Sequence, residues 1–150
     1  MESVDIATPL VKHFEGLYLT TYSCPAGILT IGYGCTGPRV VDGMHITEAE
    51  ADALLDADLT DARNDVLRAC TESLTHTEEA ALISFVFNLG GPALRSSTLL
   101  KKLNSGDKAG AGLEFLKWDK ATVNGKKVAL RGLTLRRQAE SRLFLTGDWQ

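Results

Sequence analysis

Apolar residues recur at helical spacing along most of this chain. Leu10, Val11, Phe14 and Leu17 form one stripe, and Thr8 before Pro9 has the look of an N-cap followed by proline at the first helical position. The pattern predicts a short helix from Thr8 that stops at Gly16. From Leu17 to Gly37 Tyr, Thr and Ile alternate with Pro25, Gly27, Gly32 and Gly34, which suits short strands and tight turns, a β-hairpin unit over about 17–37. Thr47 with Glu50 is a capping-box signal ahead of Leu54, Leu55, Leu59, Ala62 and Val66, predicting a long helix over 47–68. Thr75 with Glu78 repeats the signal before Ala81, Leu82, Phe85, Val86 and Leu89. That segment is apolar nearly all round and is expected to be the central buried helix, stopped by Gly90, Gly91 and Pro92. Further helices are expected over 97–104, 107–116 and 134–146, the last two separated by a turn-rich stretch at Asn124 and Gly125. The sum is an α+β protein: a small N-terminal β-hairpin lobe packed on a mostly helical lobe, with the helical body over about 47–146 and a cleft between the two.

Length and composition fit one domain spanning 1–150, since 150 residues with 44% hydrophobic content can bury a real core. No apolar run approaches a membrane span, and MESVDIATPLVKHFEG lacks a basic start followed by an apolar stretch, so a soluble protein without a visible secretory signal is expected. Cys24, Cys35 and Cys70 have neither CxxC spacing nor disulfide-scaffold density and read as thiols of a reducing cytoplasm. The net charge is only −3, yet it is divided unevenly: 4 Lys/Arg against 14 Asp/Glu before Arg95, then 12 against 5. A C-terminal part at about +7 is fit to meet an anionic polymer, with nucleic acid, membrane surface and cell wall all open on charge alone. Within it Arg131, Arg136, Arg137 and Arg142 fall on more than one side of a helix, so most of them are expected on a solvated surface.

Among candidate reactive groups, Glu15 ends the first helix one helical step from Val11 and Tyr18, placing its side chain beside the apolar stripe. Apolar surroundings and the negative end of a helix dipole both disfavour an ionised carboxyl, which suits a general acid, although an ordinary solvated glutamate has the same local sequence. Glycoside hydrolysis needs a second group on the opposite face of the sugar ring, and the hairpin offers no carboxylate, only Cys24, ahead of Thr30. A thiolate is a competent base or nucleophile, while a lone cysteine is equally at home as a small buried apolar residue. His13, His45 and His76 are scattered, and no metal set or phosphate loop is evident, so neither metal nor cofactor is expected.

The spacing Glu15, eight residues, Cys24, five residues, Thr30 resembles the Glu-x8-Asp/Cys-x5-Thr signature of the phage-type lysozymes, glycoside hydrolase family 24. Its setting HFEGLYLTTYSCPAGILTIGYG is similar to their helix, hairpin and TIGYG strand, and SFVFNLGG, STLLKKLN and RGLTLRRQAESRLFLTG extend the similarity over nearly the whole chain. The resemblance implies a lysozyme-like fold and an inverting endolysin muramidase. Such an enzyme cleaves the β-1,4 bond between N-acetylmuramic acid and N-acetylglucosamine in peptidoglycan and lyses the host cell. It implies that Glu15 protonates the leaving oxygen, that residue 24 handles the water across the cleft, and that Thr30 helps hold it. Thr36, Phe87 and Asn88 match positions lining the saccharide cleft. Two departures stand out: Cys24 replaces the commoner aspartate, leaving base, nucleophile and polar placeholder open, and TIGYGCT has Cys35 where TIGYGHT is common, removing any ion pair of that histidine. A monomer acting on peptidoglycan strands is expected, without nucleic acid and without stable membrane insertion. It is expected to be made in the host cytoplasm and to reach the periplasmic wall after release through the inner membrane. A wall-binding module of the same fold without turnover is the rival, and an amidase using Cys24 with His13 a more distant one.

Overall fold

In the computed structural model, which describes residues 2–23 and 27–150, the first helix is longer than its cap signal suggests. Helix α1 spans Glu2–Glu15 with Ser3, Val4, Ala7, Leu10 and Val11 buried, so one apolar stripe continues through Pro9. Thr8 is not a cap: its hydroxyl donates back to the Val4 carbonyl at 2.8 Å. Proline removes one rung of the hydrogen-bond ladder, and burial of Val4 and Ala7 in the core outweighs that loss. Gly16, at φ +73°, then turns the chain out of the helix.

Strands β1 (Tyr18–Ser23) and β2 (Leu29–Gly32) pair antiparallel, with Tyr22 opposite Thr30 and an irregularity between Tyr18 and Tyr22. Segment 44–46 straps the outer edge of β1 through Thr21 N to Met44 O (3.0 Å) and Ile46 N to Leu19 O (2.8 Å). Ile31, Tyr33, Cys35, Val40 and Ile46 from this region join the same apolar core as the helices.

Helix α2 (Glu48–Ala69) starts at the expected capping box of Thr47 and Glu50, and α3 (His76–Leu89) at that of Thr75 and Glu78. In α3 Ala80, Ala81, Leu82, Ile83 and Phe85 are fully buried, and α1 and α2 pack against it, as does the last helix, α7 (Arg131–Thr146). Gly90, at φ +92°, stops α3 as expected, but a further short helix α4 (Gly91–Arg95) starts immediately, with Pro92 in its first turn. Helices α5 (Thr98–Asn104) and α6 (Lys108–Glu114) are capped by Ser97 and Asp107, and a 3-10 turn (Phe115–Lys117) extends α6.

Between α6 and α7 the turn-rich stretch is itself a hairpin. Strands β3 (Lys120–Val123) and β4 (Lys126–Ala129) pair in register across Asn124 (φ 51°) and Gly125 (φ 79°), the paired left-handed residues of a two-residue hairpin turn. The helical body is therefore interrupted, and α7 begins three residues earlier than its apolar pattern indicates. Among the described residues no helix is long and apolar enough to cross a membrane.

Candidate active site

Three helices converge on one carboxylate. Because α1 and α7 both pack on α3, the last residue of α1 faces the first half of α7, and Glu15 Oε2 meets Arg136 Nη1 at 2.6 Å. The Glu15 side chain is 21% exposed and that of Arg136 only 4%, so the acid keeps limited contact with solvent and its partner almost none. The sequence placed Glu15 beside an apolar stripe; the structure gives it a guanidinium partner instead. Glu15, Asn88 and Arg136 line a hollow of about 340 Å³, closed by Phe14, Leu130 and Leu133.

The backbone of the TIGYG segment forms the facing wall. A Cβ at Gly34 would sit 2.6 Å from Glu15 Oε1, and the residue holds φ +78°. Glycine is required there twice over, by the backbone conformation and by the approach of the acid. Gly34 also lines a second hollow, of about 230 Å³, with Thr36, Phe87, Asp58, Asp61 and Asp65. The two hollows thus flank the pair Glu15 and Gly34. Phe87 bridges them, since the Arg136 guanidinium carbon lies 6.0 Å from its ring centre.

Arg136 is held from behind. Its Nε donates to Glu140 Oε2 and its Nη2 to the Ser84 carbonyl and hydroxyl, each at 3.4 Å, while Ser84 Oγ donates to the same Glu140 oxygen at 2.5 Å. Arg137 lies on the other side of Glu140, with Nε 2.7 Å from Oε1 and Nη2 donating to Oε2 at 3.0 Å. It also donates from Nη2 to Asn88 Oδ1 at 2.8 Å. The Nε to Oε1 approach is a charge contact without hydrogen-bond alignment, and both atoms are buried without a hydrogen-bond partner. Complete desolvation pushes the Glu140 carboxyl up, against the pull of Arg137 and Arg136. One buried carboxylate therefore positions both the arginine that holds Glu15 and the one that orients Asn88.

Of the residues singled out from the sequence, Glu15 and Asn88 share one hollow, and Thr36 and Phe87 line its neighbour. Thr30 is buried on β2, its hydroxyl proton donated to the Ile28 carbonyl at 3.1 Å, so that oxygen retains lone pairs to accept a further bond. Cys24 lies outside the described residues. Arg136, Arg137, Glu140 and Gly34 were missed as site residues. The two arginines, 3% and 0% exposed, are not the solvated helix surface that their spacing suggested. The signal was Glu140 at positions i+4 and i+3 to the two arginines, the spacing of an internal ion-pair set. Cys35 is buried, and Arg39 donates to its sulfur at 3.5 Å and to Asp58 at 3.1 Å, one guanidinium serving both.

The phage lysozyme family model matches residues 12–140. The chain is 47% identical over 135 residues to an endolysin of Acyrthosiphon pisum secondary endosymbiont phage 1, covering 90% of this chain and 92% of that relative. It is 41% identical over 141 residues to the endolysin of Bacillus phage B103, of which it spans 52%, covering 93% of this chain. Among solved structures, an endolysin from Escherichia coli O157:H7 phage FAHEc1 superposes with a TM-score of 0.87 at 38% identity, covering 97% of this chain and 92% of that one. The muramidase domain of SpmX from Asticaccaulis excentricus gives 0.88 at 36% identity, covering 94% and 95%.

Proposed function

Because this chain belongs to the phage lysozyme family, we propose that it is an endolysin muramidase that cleaves peptidoglycan glycan strands with Glu15 as general acid, leading to host lysis. The observation that carries the assignment of the acid is the Glu15 carboxylate, tied at Oε2 to a buried Arg136 while Oε1 faces the Gly34 backbone at the junction of two hollows. In this reading Oε1 delivers the proton to the departing glycosidic oxygen, and Arg136 fixes the carboxyl so that delivery needs no reorientation. Thr36, Phe87 and Asn88 line the sugar-binding surface on either side.

The second half of the reaction is assigned to the hairpin. Cys24, in the segment joining β1 to β2, handles the attacking water from the opposite face of the ring, and Thr30 accepts a hydrogen bond from that water. Support comes from the Glu15, Cys24, Thr30 spacing and from the lone pairs that Thr30 keeps after donating to Ile28. A water attacking from the face opposite the leaving group inverts the anomeric centre. We take the enzyme to act as a monomer on the wall after passing the inner membrane.

Digestion of purified peptidoglycan tests this directly. New reducing termini at N-acetylmuramic acid are expected, with the α-anomer appearing first by NMR, and Glu15→Gln should lower the rate by about 100-fold or more. A β-anomer as first product refutes inversion. Retention of a tenth of the rate by Glu15→Gln refutes the acid.

A further inference from the structure

The four arginines of the C-terminal helix divide between its two faces. Arg136 and Arg137 turn inward, while Arg131, Leu135, Gln138 and Arg142, spaced by four, three and four residues, are exposed along one outer stripe. Two hollows lie end to end on this stripe and share Leu135 and Gln138. One, of about 280 Å³, is also bounded by His13, Phe14, Arg142 and Trp149; the other, of about 470 Å³, by Ala129, Arg131 and Thr134.

The lining has a definite chemistry. The Trp149 ring is 5.5 Å from that of His13 and 6.4 Å from that of Phe14, an aromatic floor beside a guanidinium and a carboxamide. No ion pair among the described residues engages Arg131 or Arg142, unlike their buried neighbours. Phe14 lines both this first hollow and the one containing Glu15, so the stripe adjoins the site at that ring. On the opposite flank, in the hollow with Asp58, Asp61 and Asp65, Asp58 is paired with Arg39 and Asp65 with Arg68.

We infer that the outer face of α7 is an accessory groove for the peptidoglycan strand as it leaves the cleft. Arg131 and Arg142 take the carboxylates of its stem peptides, and the Trp149 surface takes the apolar face of a sugar ring. The inference rests on the muramidase reading for the identity of the polymer, and the occupant follows from charge complementarity and continuity with the cleft. Planar guanidiniums suit carboxylates, and aromatic faces suit sugar rings.

The test compares the full chain with its Arg131→Gln/Arg142→Gln variant on two substrates: intact peptidoglycan sacculi and the same sacculi with their carboxyl groups converted to amides by carbodiimide and ammonia. Binding is read by pelleting in the Glu15→Gln background over a range of NaCl, and turnover by release of reducing ends from a short soluble glycan. Two exposed charge contacts predict about a fivefold weaker affinity for intact sacculi, a flatter salt dependence, no change on amidated sacculi and no change in turnover of the short glycan. Equal affinity and equal salt dependence for the two proteins on intact sacculi overturn the groove, as does an equal loss on amidated sacculi. Pelleting with phosphatidylglycerol vesicles in preference to sacculi overturns the choice of occupant. Failure of the muramidase reading is separately visible, because then the protein carrying Glu15 releases no reducing ends from the short glycan whatever the pelleting shows.

Discussion

Replacing Glu140 with Gln keeps the shape of the side chain and removes only its charge, so the variant isolates what the buried carboxylate does. In the folded protein Glu140 is fully buried between Arg137, 2.7 Å from one oxygen, and Arg136, 3.4 Å from the other. Without it, among the described residues, the two inward guanidiniums retain only Glu15 as an ion-pair partner, and Arg137 retains none. Removing one partner of a buried ion pair costs about 3–5 kcal/mol, because an uncompensated charge stays desolvated. For a chain of this size that corresponds to a fall in Tm of roughly 6–20 °C. Urea titration should show the loss as a lower midpoint at unchanged slope. Turnover measured well below the new midpoint should fall as well, because Arg136 loses the charged one of the two side chains, Glu140 and Ser84, that hold it from behind Glu15, and with it the fixed position of Glu15. Neutralising Arg137 in the same chain, as Arg137→Gln, should recover part of the stability, since the charge left behind is then removed. A stability loss below about 1 kcal/mol with unchanged turnover would refute the argument.

Gly34→Ala should cost about 1–2 kcal/mol for the left-handed backbone and should reduce turnover far more than stability, because the new methyl group occupies space 2.6 Å from Glu15 Oε1; an active, merely destabilised variant contradicts this. Burial pushes the Cys70 thiol up to about 11 and raises that of Cys35 too, so in the folded protein at pH 7.5 iodoacetamide should label neither quickly. Inhibition under those conditions then reports on Cys24. It should be lost in Cys24→Ala and retained in a chain carrying Cys24 alone, and wild-type turnover by Cys24→Ala would remove Cys24 from the reaction. Against a desolvation that pushes it up, the Thr75 backbone N–H and Lys108 together hold the Glu78 carboxyl below its usual range. Its stabilisation is therefore present above the unfolded value of about 4.3 and is lost as pH falls through the folded one. The stability gap between wild type and Glu78→Gln should narrow between pH 7 and pH 3, and a constant gap counts against it.

What the sequence determined was everything set by short-range pattern. The two capping boxes at Thr47 and Thr75 were legible because a Thr with Glu three residues on satisfies the first turn's free amides locally, and both helices start where those residues say. The run of α3 from Ala80 to Phe87 had to be central because it is apolar nearly all round. Glu15 and the hairpin that follows were legible through spacing, down to the turn at Gly16. Three things needed the tertiary structure. Thr8 with Pro9 gives a sound local cap, yet the helix runs through them because Val4 and Ala7 find a core contributed by distant helices. The β3–β4 hairpin has strands of four residues, largely solvated, and the brief alternation of Lys120–Val123 is not repeated in Lys126–Ala129, so the Asn124–Gly125 turn was the signal that announced it. The pairing of Arg136 with Glu15 joins residues 121 positions apart. No periodicity encodes such a contact: whether an arginine on a helix is a solvated charge or the partner of a buried acid depends on which face α3 covers, and that is decided only when α1 and α7 pack against it.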